Sequence, residues 1–325
     1  MRLAELTTLR LGGPATVLEA STQAELVAIL RDHPDAKVLG GGSNVVVADA
    51  GLEVPVVRIR TSGVQQHGDQ FVVEAGVDWD SFVADMVAAG RAGVEALSGI
   101  PGTVGATPVQ NVGAYGQEVA DTIAGVRVLV RDTGEVTTWP AQRVGFGYRS
   151  SEFKRHPDDH VVLAVAFDLP EGNSSPVRYA ELARTLGVNV GESAPLSEVR
   201  NAVLGLRRGK GMVLDPEDPD TRSAGSFFTN PIVATAPDGA PAWPQPDGRV
   251  KTSAAWLIEQ AGVGKGFALP GSQVAVSGKH TLALTNRGGG TTAGLLELAR
   301  AIRDRVHERF GITLVPEPMM WGCSL

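Results

Sequence analysis

Two glycine-rich segments with hydroxyl and amide side chains are the part of this sequence most suited to chemistry. Residues 98–118 read SGIPGTVGATPVQNVGAYGQE, and residues 39–49 read LGGGSNVVVAD. Glycine lets the backbone approach a ligand without a Cβ in the way, and backbone amides in such loops bind anions without added charge. Because the segments occur as a pair, we expect them to hold one large phosphate-bearing ligand from two sides. Taken alone, residues 40–42 would be better explained as a tight connection between strands.

Cations and metal ligands give weaker signals. Residues 207–210 read RRGK, a run that is usually a solvated helix end but that could also bind a diphosphate, because Lys and Arg both bind phosphate well. Of the 6 histidines, only His156 and His160 have HxxxH spacing, no HExxH motif occurs, and Cys323 is the only cysteine. We therefore expect no metal site.

Length, charge and cysteine content restrict the class of protein. A chain of 325 residues is long enough for two or three domains. The net charge of −7 argues against general affinity for nucleic acid or an anionic membrane. A single cysteine excludes a disulfide framework, the first residues lack the apolar core of a secretory signal, and no apolar run is long enough to span a membrane. We expect a cytoplasmic location.

The elements that would position these loops alternate irregularly. Short Val-rich runs predict strands in the first half, at 37–39, 45–47, 54–60, 70–77, 125–131, 135–139 and 160–169. A helix is predicted at 79–90, with Asp78 as its cap and Gly90 as its stop. In the second half, the 3.6-residue period predicts helices at 178–184, 195–209, 251–262 and 291–310. Further strands are expected at 224–230, 273–277, 282–286 and 312–316, and residues 235–250 are expected to form a long surface loop.

This order of elements predicts an α+β fold rather than a simple βαβ nucleotide-binding fold. Neither GxGxxG nor GxxxxGK[ST] occurs in the sequence, so the Rossmann and P-loop fingerprints are both absent.

Six segments in this order resemble the UDP-N-acetylenolpyruvoylglucosamine reductases, the MurB flavoenzymes of bacterial peptidoglycan synthesis, in particular their type I subgroup. The segments are LGGGSN at 39–44, SGIPGTVGATPVQNVGAYGQE at 98–118, YRSSEFK at 148–154, SAGSFFTNP at 223–231, AAWLIEQAG at 254–262 and PEP at 316–318. Any one of them would be a weak signal. Together and in order they are highly specific.

The resemblance implies a fold and an activity. Residues 1–172 would form a vanillyl-alcohol-oxidase-like (PCMH-type) FAD-binding domain of two α+β subdomains, about 1–52 and 53–172. Residues 173–325 would form a C-terminal α+β substrate-binding domain, whose last strand, 312–320, returns to the active site. NADPH would reduce non-covalently bound FAD, and the reduced flavin would pass hydride to the enolpyruvyl group of the UDP-sugar, giving UDP-N-acetylmuramate. The expected partner is the UDP-sugar substrate, with no nucleic acid and no membrane. The protein is expected to be a monomer.

The resemblance also assigns roles to individual residues. Those on the catalytic positions are Arg149, Ser226 and Glu317. Those on substrate-binding positions are Tyr179, Lys210, Asn230 and His280, the last falling where some members carry Gln. Those expected to bind FAD are Gly40, Gly41, Gly42, Ser43, Asn44, Ser98, Gly99, Ile100, Pro101, Gly102, Gly105, Ala106, Gln110, Asn111, Gly113, Ala114, Tyr115 and Gly116.

Each catalytic candidate also has a plainer explanation. Most arginines are solvated, but Arg149 follows Phe146, Gly147 and Tyr148, as at the wall of a pocket, and a guanidinium supplies paired planar donors to an enolate. Ser226 would ordinarily be a turn hydroxyl, and no GxSxG elbow marks it as a nucleophile. Glu317 is flanked by two prolines in an apolar context, where a structural ion pair is the alternative, since an unpaired buried charge is costly.

Two other function classes stay open. A nucleotide-sugar-binding protein that has lost its chemistry would have no need to retain Arg149, Ser226 and Glu317 together. An oxygen-using FAD oxidase of the same superfamily often tethers its flavin through His or Cys, and neither occurs in residues 98–118. A flavin spectrum that bleaches with NADPH and returns with the enolpyruvyl substrate would distinguish the reductase from both.

Overall fold

The chain folds into two units that are each discontinuous in sequence. The computed structural model describes all residues, 1–325. The first unit, called here the sheet unit, comprises Thr16–Gly41 and Glu53–Arg208. The second, called the terminal unit, comprises Met1–Ala15, Gly42–Leu52 and Gly209–Leu325. The sequence-based division at residue 172 concerns ligand-binding roles, which a division by backbone contacts does not test, and it stays a prediction.

Helices and short strands alternate along the chain. The strands are β1 (Val17–Ala20), β2 (Lys37–Leu39), β3 (Val45–Val47), β4 (Val56–Ile59), β5 (Val64–His67), β6 (Gln70–Glu74), β7 (Gly113–Ala114), β8 (Gln117–Glu118), β9 (Ile123–Val130), β10 (Val136–Pro140), β11 (His160–Asp168), β12 (Ile232–Val233), β13 (Ala242–Pro244), β14 (Val250–Thr252), β15 (Val274–Val276), β16 (Leu284–Asn286) and β17 (Met319–Trp321). The helices are α1 (Gln23–Asp32), α2 (Trp79–Ala88), α3 (Ala141–Val144), α4 (Glu152–Arg155), α5 (Ala180–Leu186), α6 (Leu196–Gly209), α7 (Ala254–Gln260) and α8 (Thr292–Phe310).

A five-stranded antiparallel sheet, in the order β10–β9–β11–β6–β5, is the main layer of the sheet unit. Residues 161–165 of β11 are all buried, as expected for a strand covered on both faces. Helix α2 packs here, with the rings of Phe82 and Phe167 5.4 Å apart. The side chain of Asp78 accepts a hydrogen bond from Ser81 N and caps α2 as predicted. A second, parallel sheet has the order β1–β4–β2.

The terminal unit is built from short strand pairs and one long helix. Strand β3 pairs in parallel with β17, and the other sheets are β12–β14–β13 and β15–β16. Helix α8 buries Leu295, Leu298 and Ile302, the stripe that the sequence predicts. The Asp49 carboxylate accepts hydrogen bonds from Thr292 N at 2.8 Å and Ala293 N at 2.9 Å. It thereby satisfies amides at the helix N-terminus.

Several expected elements differ from those observed. Residues 224–230 and 312–316 form no regular strand; they carry only isolated bridges, Ser226 to Ala283 and Phe228 to Pro316. The last strand is β17, so the predicted strand 312–320 is wrong for most of its length. Part of the expected loop 235–250 is instead β13. The sequence patterns above do not predict helix α1, although its capping box, Thr22 with Glu25, is a recognisable N-terminal signal.

No helix of the chain is both long and apolar enough to span a membrane.

Candidate functional site

The two glycine-rich segments meet within the sheet unit. A Cβ placed on Gly41 would lie 2.6 Å from the Cα of Gly102, and one on Gly40 would lie 2.6 Å from Oγ1 of Thr103. These contacts are too close for any side chain, so glycine at position 41 is required by the packing of the chain itself. The structure thus brings the loops together as expected. That they hold a ligand stays a prediction.

The rest of the LGGGSN segment belongs to the terminal unit. Gly42 has a φ of +64°, and a Cβ there would overlap the carbonyl oxygen of Leu6. Its own carbonyl accepts a hydrogen bond from Thr8 N at 3.1 Å, and the carbonyl of Asn44 accepts one from Met319 N at 3.0 Å. Ser43 and Asn44 therefore sit on a backbone that is held at both ends.

The turn of residues 98–102, called here the SGIPG turn, is anchored by groups behind it. Gly99 N donates to the Asp80 carboxylate at 2.6 Å, and the hydroxyl of Ser98 donates to Glu95 O at 2.7 Å. The carbonyl of Gly102 accepts from Trp79 N at 3.1 Å. The buried hydroxyl of Ser98 is thus used within the protein, whereas Ile100, Pro101 and Gly102 are only partly buried.

Arg149 lies in a cluster of left-handed residues in the sheet unit. Asn111, Tyr115 and Arg149 have φ angles of 47°, 50° and 49°. Non-glycine residues in this region are uncommon and concentrate at functional sites. The guanidinium of Arg149 donates to Gly113 O at 2.7 Å and to Asn111 O at 3.4 Å. Backbone carbonyls therefore fix the orientation of this cation.

The side chain of Asn111 stabilises that same loop. It is buried, accepts a hydrogen bond from Ala120 N at 3.1 Å and donates to the Glu118 carboxylate at 2.7 Å. Since both ends of its amide bind the protein, Asn111 acts here as a support for the loop. Gly113 is tightly packed too, because a Cβ there would lie 2.8 Å from Cγ of Glu118.

Arg207, at the end of α6, lies in the electrostatic environment of Arg149. Burial lowers the pKa of Arg207; Tyr115 and Asp80 act in the opposite direction, and the like charge of Arg149 adds to the lowering. An arginine nevertheless stays protonated in a protein. The sheet unit therefore concentrates two guanidinium groups near the strained loop, an arrangement suited to an anionic ligand. The sequence had indicated Arg207 only as part of the RRGK run.

Tyr179 precedes α5 and is 46% exposed. Its ring meets that of Tyr115 edge-on at 5.6 Å. Four residues earlier, Ser175 N donates to the carboxylate of Glu95 at 2.8 Å. Glu95 is only 1% exposed and also accepts from Gly93 N at 2.6 Å. The tyrosine is thus partly exposed on a segment that is anchored by the buried carboxylate of Glu95, a residue that the sequence gave no reason to single out.

Ser226 and Glu317 are brought close along the backbone of the terminal unit. Phe227 N donates to Leu282 O at 2.7 Å, and Glu317 N donates to Phe227 O at 2.8 Å. The segment that carries Ser226 therefore lies between two other extended segments, and Glu317 pairs with the residue next to Ser226. Both residues are half-buried, which leaves them partly accessible to a ligand.

Asn230 and His280 are held in the same unit. The side-chain carbonyl of Asn230 accepts from Ala254 N at 2.9 Å, at the start of α7. His280 N donates to the Ser277 hydroxyl at 3.2 Å, while Lys279 pairs with Asp218 at 2.6 Å. Lys210 directly follows α6 in the chain.

Among all described residues, no group of three or more His, Cys, Asp or Glu side chains is arranged to hold a metal ion.

Comparison with known proteins gives consistent matches. A family profile described as the C-terminal domain of UDP-N-acetylenolpyruvoylglucosamine reductase matches residues 216–321, and one described as an FAD binding domain matches residues 14–139. The UDP-N-acetylenolpyruvoylglucosamine reductase of Saccharopolyspora erythraea is 54% identical, over 99% of this chain and 95% of its own. That of Nocardia farcinica is also 54% identical, over 100% of this chain and 90% of its own.

A solved structure supports the same relationship. The crystal structure of UDP-N-acetylenolpyruvylglucosamine reductase (MurB) from Thermus caldophilus superposes with a TM-score of 0.71 at 27% identity, covering 99% of this chain and 97% of that one. Together with the mixed helix and sheet architecture, these matches confirm the expected α+β fold with a PCMH-type FAD-binding domain and a C-terminal domain.

Proposed function

Because the chain belongs to the UDP-N-acetylenolpyruvoylglucosamine reductase family, we propose that it reduces the enolpyruvyl group of UDP-N-acetylglucosamine enolpyruvate to give UDP-N-acetylmuramate, a peptidoglycan precursor. FAD, held by the glycine-rich segments, would supply the redox chemistry by which hydride passes from NADPH to the substrate. We assign FAD binding to the PCMH-type domain, residues 1–172, and substrate binding mainly to residues 173–325.

The glycine-rich loops suit this cofactor. Gly41 packs against Gly102 so closely that any side chain at position 41 would fill the junction. The SGIPG turn is tied from behind by Asp80 and Glu95. The result is a preorganised wall with few side chains, which suits the approach of a diphosphate and a flat ring system to the backbone. No Cys or His lies in residues 98–118, which favours non-covalent binding.

Ser226 has the role of acid. Hydride addition to one carbon of the enolpyruvyl group places negative charge on the neighbouring carbon and its carboxylate. A proton must then reach that carbon, and we assign this transfer to the Ser226 hydroxyl, whose segment is held between two extended segments. Positioned proton transfer typically contributes about 10²–10⁴-fold to rate.

Arg149 and Glu317 stabilise the enolate in this proposal. A guanidinium fixed by Gly113 O and Asn111 O needs little reorganisation when charge develops on the substrate, and this is the condition under which electrostatic stabilisation is strongest. Lys210, Asn230, His280 and Tyr179 bind the UDP-sugar, with Lys210 on the diphosphate and Tyr179 on a segment that closes over the ligand.

The observation that supports the proposal is that the family's C-terminal-domain match, residues 216–321, includes both Ser226 and Glu317, and that Glu317 N donates to the carbonyl of Phe227, the residue next to Ser226. We further propose a cytoplasmic monomer, since one cysteine suits a reducing compartment and nothing in the sequence demands a second chain.

Mass spectrometry of the product tests the function. The enzyme should convert the enolpyruvyl UDP-sugar, with NADPH, to a product heavier by two hydrogen atoms, and it should consume no oxygen in doing so. NADPH oxidation coupled to oxygen uptake, without that product, would indicate a flavin oxidase. Binding of the UDP-sugar without turnover would indicate a protein that has lost its chemistry.

A further inference from the structure

Asp80 connects two parts of the sheet unit that carry different functional candidates. It is the second residue of α2, and its Oδ1 accepts a hydrogen bond from Gly99 N of the SGIPG turn at 2.6 Å. The same carboxylate binds the guanidinium of Arg200 with both oxygens, at 2.6 Å and 3.0 Å. Arg200 lies on α6, 120 residues along the chain. One carboxylate therefore ties the SGIPG turn to α6.

The geometry of this contact is that of a strong interaction. Two parallel N–H···O bonds between a guanidinium and a carboxylate add specificity as well as energy. The Arg200 side chain is only 17% exposed, so solvent screens the pair less than it screens a surface ion pair. Burial opposes ionisation of Asp80, but the hydrogen bonds from Arg200 and Gly99 outweigh it, and the pKa of this carboxyl lies below its usual value.

Helix α6 has a second arginine, Arg207, on the same face as Arg200. Residues seven apart lie on the same face of an α-helix, so Arg207 follows Arg200 on one side of α6. The charge of Asp80 acts on Arg207 as well, and so do the charges of Tyr115 and Arg149. Movement of Asp80 would therefore affect the SGIPG turn and the two arginines of α6, Arg200 and Arg207, at the same time.

We propose that Asp80 is a positioning residue that clamps the SGIPG turn to α6, so that retention of FAD depends on Arg200, a residue outside both glycine-rich segments. The proposal rests on the assignment of the SGIPG turn to FAD binding. It makes Arg200 act through Asp80 and Gly99, and it predicts that loosening α6 weakens the cofactor site.

The test compares Arg200→Met with Arg91→Met. Arg91 is a matched control because it is also largely buried and ion-paired in the sheet unit, with Asp69 at 2.6 Å and Glu171 at 3.0 Å, but it has no hydrogen bond to the SGIPG turn. Titration of the apoprotein with FAD measures the Kd. Arg200→Met should raise it about tenfold or more, the loss expected for a hydrogen bond to a charged group. Arg91→Met should leave it within about twofold.

Two further variants test whether Arg200 acts through Asp80. Arg200→Lys retains the charge and should recover part of the FAD affinity. The double variant Asp80→Asn/Arg200→Met should have a Kd for FAD no higher than that of the weaker-binding single variant, Asp80→Asn or Arg200→Met. Both changes break the same contact, so their effects should not add. Equal FAD loss in the Arg91 and Arg200 variants, or unchanged affinity in Arg200→Met, would overturn the proposal and leave a purely structural ion pair.

Amide hydrogen exchange at Gly99 separates this proposal from the proposed function. Exchange in the apoprotein should be faster in Arg200→Met and unchanged in Arg91→Met. If the wild-type protein binds no FAD, the proposed function fails, and the exchange rates still decide whether the clamp exists. If it binds FAD but Gly99 exchanges equally in both variants, the clamp is wrong and the function stands.

Discussion

The sheet unit and the terminal unit hold their candidate residues by different means. In the sheet unit, side chains hold the loops in place. Asp80, Glu95 and Asn111 accept hydrogen bonds from backbone amides of the loops and the segments beside them. In the terminal unit, Ser226 and Glu317 depend on backbone pairing between extended segments. The first arrangement is therefore sensitive to substitutions far along the chain. In the second, a substitution of Ser226 keeps the backbone pairing through Phe227 and therefore tests the side chain of Ser226.

Ser226→Ala should have the largest effect, because only chemistry is removed while the pairing through Phe227 is kept. Reduction of the flavin by NADPH should be nearly unchanged. Reoxidation by the enolpyruvyl substrate should slow by at least about two orders of magnitude. Stopped-flow absorbance measures the two steps separately.

Ser223→Ala is the matched control, since the Ser223 hydroxyl accepts a hydrogen bond from Gly225 N at 3.2 Å and is buried. It should leave both steps close to wild type. Wild-type reoxidation in Ser226→Ala, or loss of the reductive step instead, would reduce Ser226 to a structural turn hydroxyl.

Lys210→Ala should raise the apparent KM for the UDP-sugar while flavin content stays near that of the wild type. Loss of a charge-assisted contact costs about 1.5–3 kcal/mol, or roughly 10- to 150-fold in affinity. Steady-state kinetics and the visible absorbance of the purified variant give both readings. Lys37→Ala removes a lysine of the sheet unit that pairs with the exposed Asp158 and should change neither. A colourless Lys210 variant that still binds the UDP-sugar would reverse the assignment.

Glu95→Ala tests whether the sheet unit relies on buried side chains. The substitution leaves the amides of Gly93 and Ser175 without their acceptor, at about 1–3 kcal/mol for each buried donor. Urea denaturation should show this loss. Glu19→Ala, which removes an exposed partner of Arg58, should cost less than about 1 kcal/mol. Equal losses would show that Glu95 is not an anchor.

Acid should remove the contributions of two carboxylates, one in each unit. For Asp80 and for Asp218, burial opposes ionisation, but hydrogen bonds from Arg200 and from Lys279, respectively, prevail, and both pKa values are lowered in the folded state. A lowered folded pKa stabilises the protein above the unfolded value, about 3.9, and the stabilisation is lost as the pH falls through the folded pKa.

The lowered pKa values of Asp80 and Asp218 predict how two variants respond to pH. Asp80→Asn and Asp218→Asn should each be less stable than the wild type at pH 7, and the differences in urea unfolding should shrink as the pH falls below about 4. A difference that persists unchanged at low pH would mean that the carboxylate charge is not what stabilises either contact.

The elements that the sequence predicted well are those with strong local signals. The capped helix α2, the amphipathic α8 and the Val-rich strands β9 and β11 form close to the expected positions. The segments around Ser226 and Glu317 were expected as strands, but each pairs through only isolated bridges. The apolar residues of these segments indicate that the segments are buried. Local sequence does not determine how many strand-to-strand hydrogen bonds a buried segment makes.

The candidate site was predicted unevenly for the same reason. A run of glycines indicates that another group packs closely against the backbone. In the structure, Gly41 packs against the backbone of Gly102. The partners that hold the loops, Asp80, Glu95 and Arg200, are charged residues in ordinary helical or turn contexts. The contacts of Asp80 with Gly99 and Arg200 span 19 and 120 residues, and the contact of Glu95 with Ser175 spans 80, so no spacing rule could have identified these partners.

One anaerobic experiment follows the proposed reaction through both of its halves. The purified protein is treated with one equivalent of NADPH and then with the enolpyruvyl UDP-sugar, while the flavin absorbance is followed. We expect bleaching by NADPH, full recovery on addition of the UDP-sugar without oxygen, and release of the FAD on denaturation. Bleaching that only oxygen reverses, or flavin that stays with the denatured chain, would contradict it.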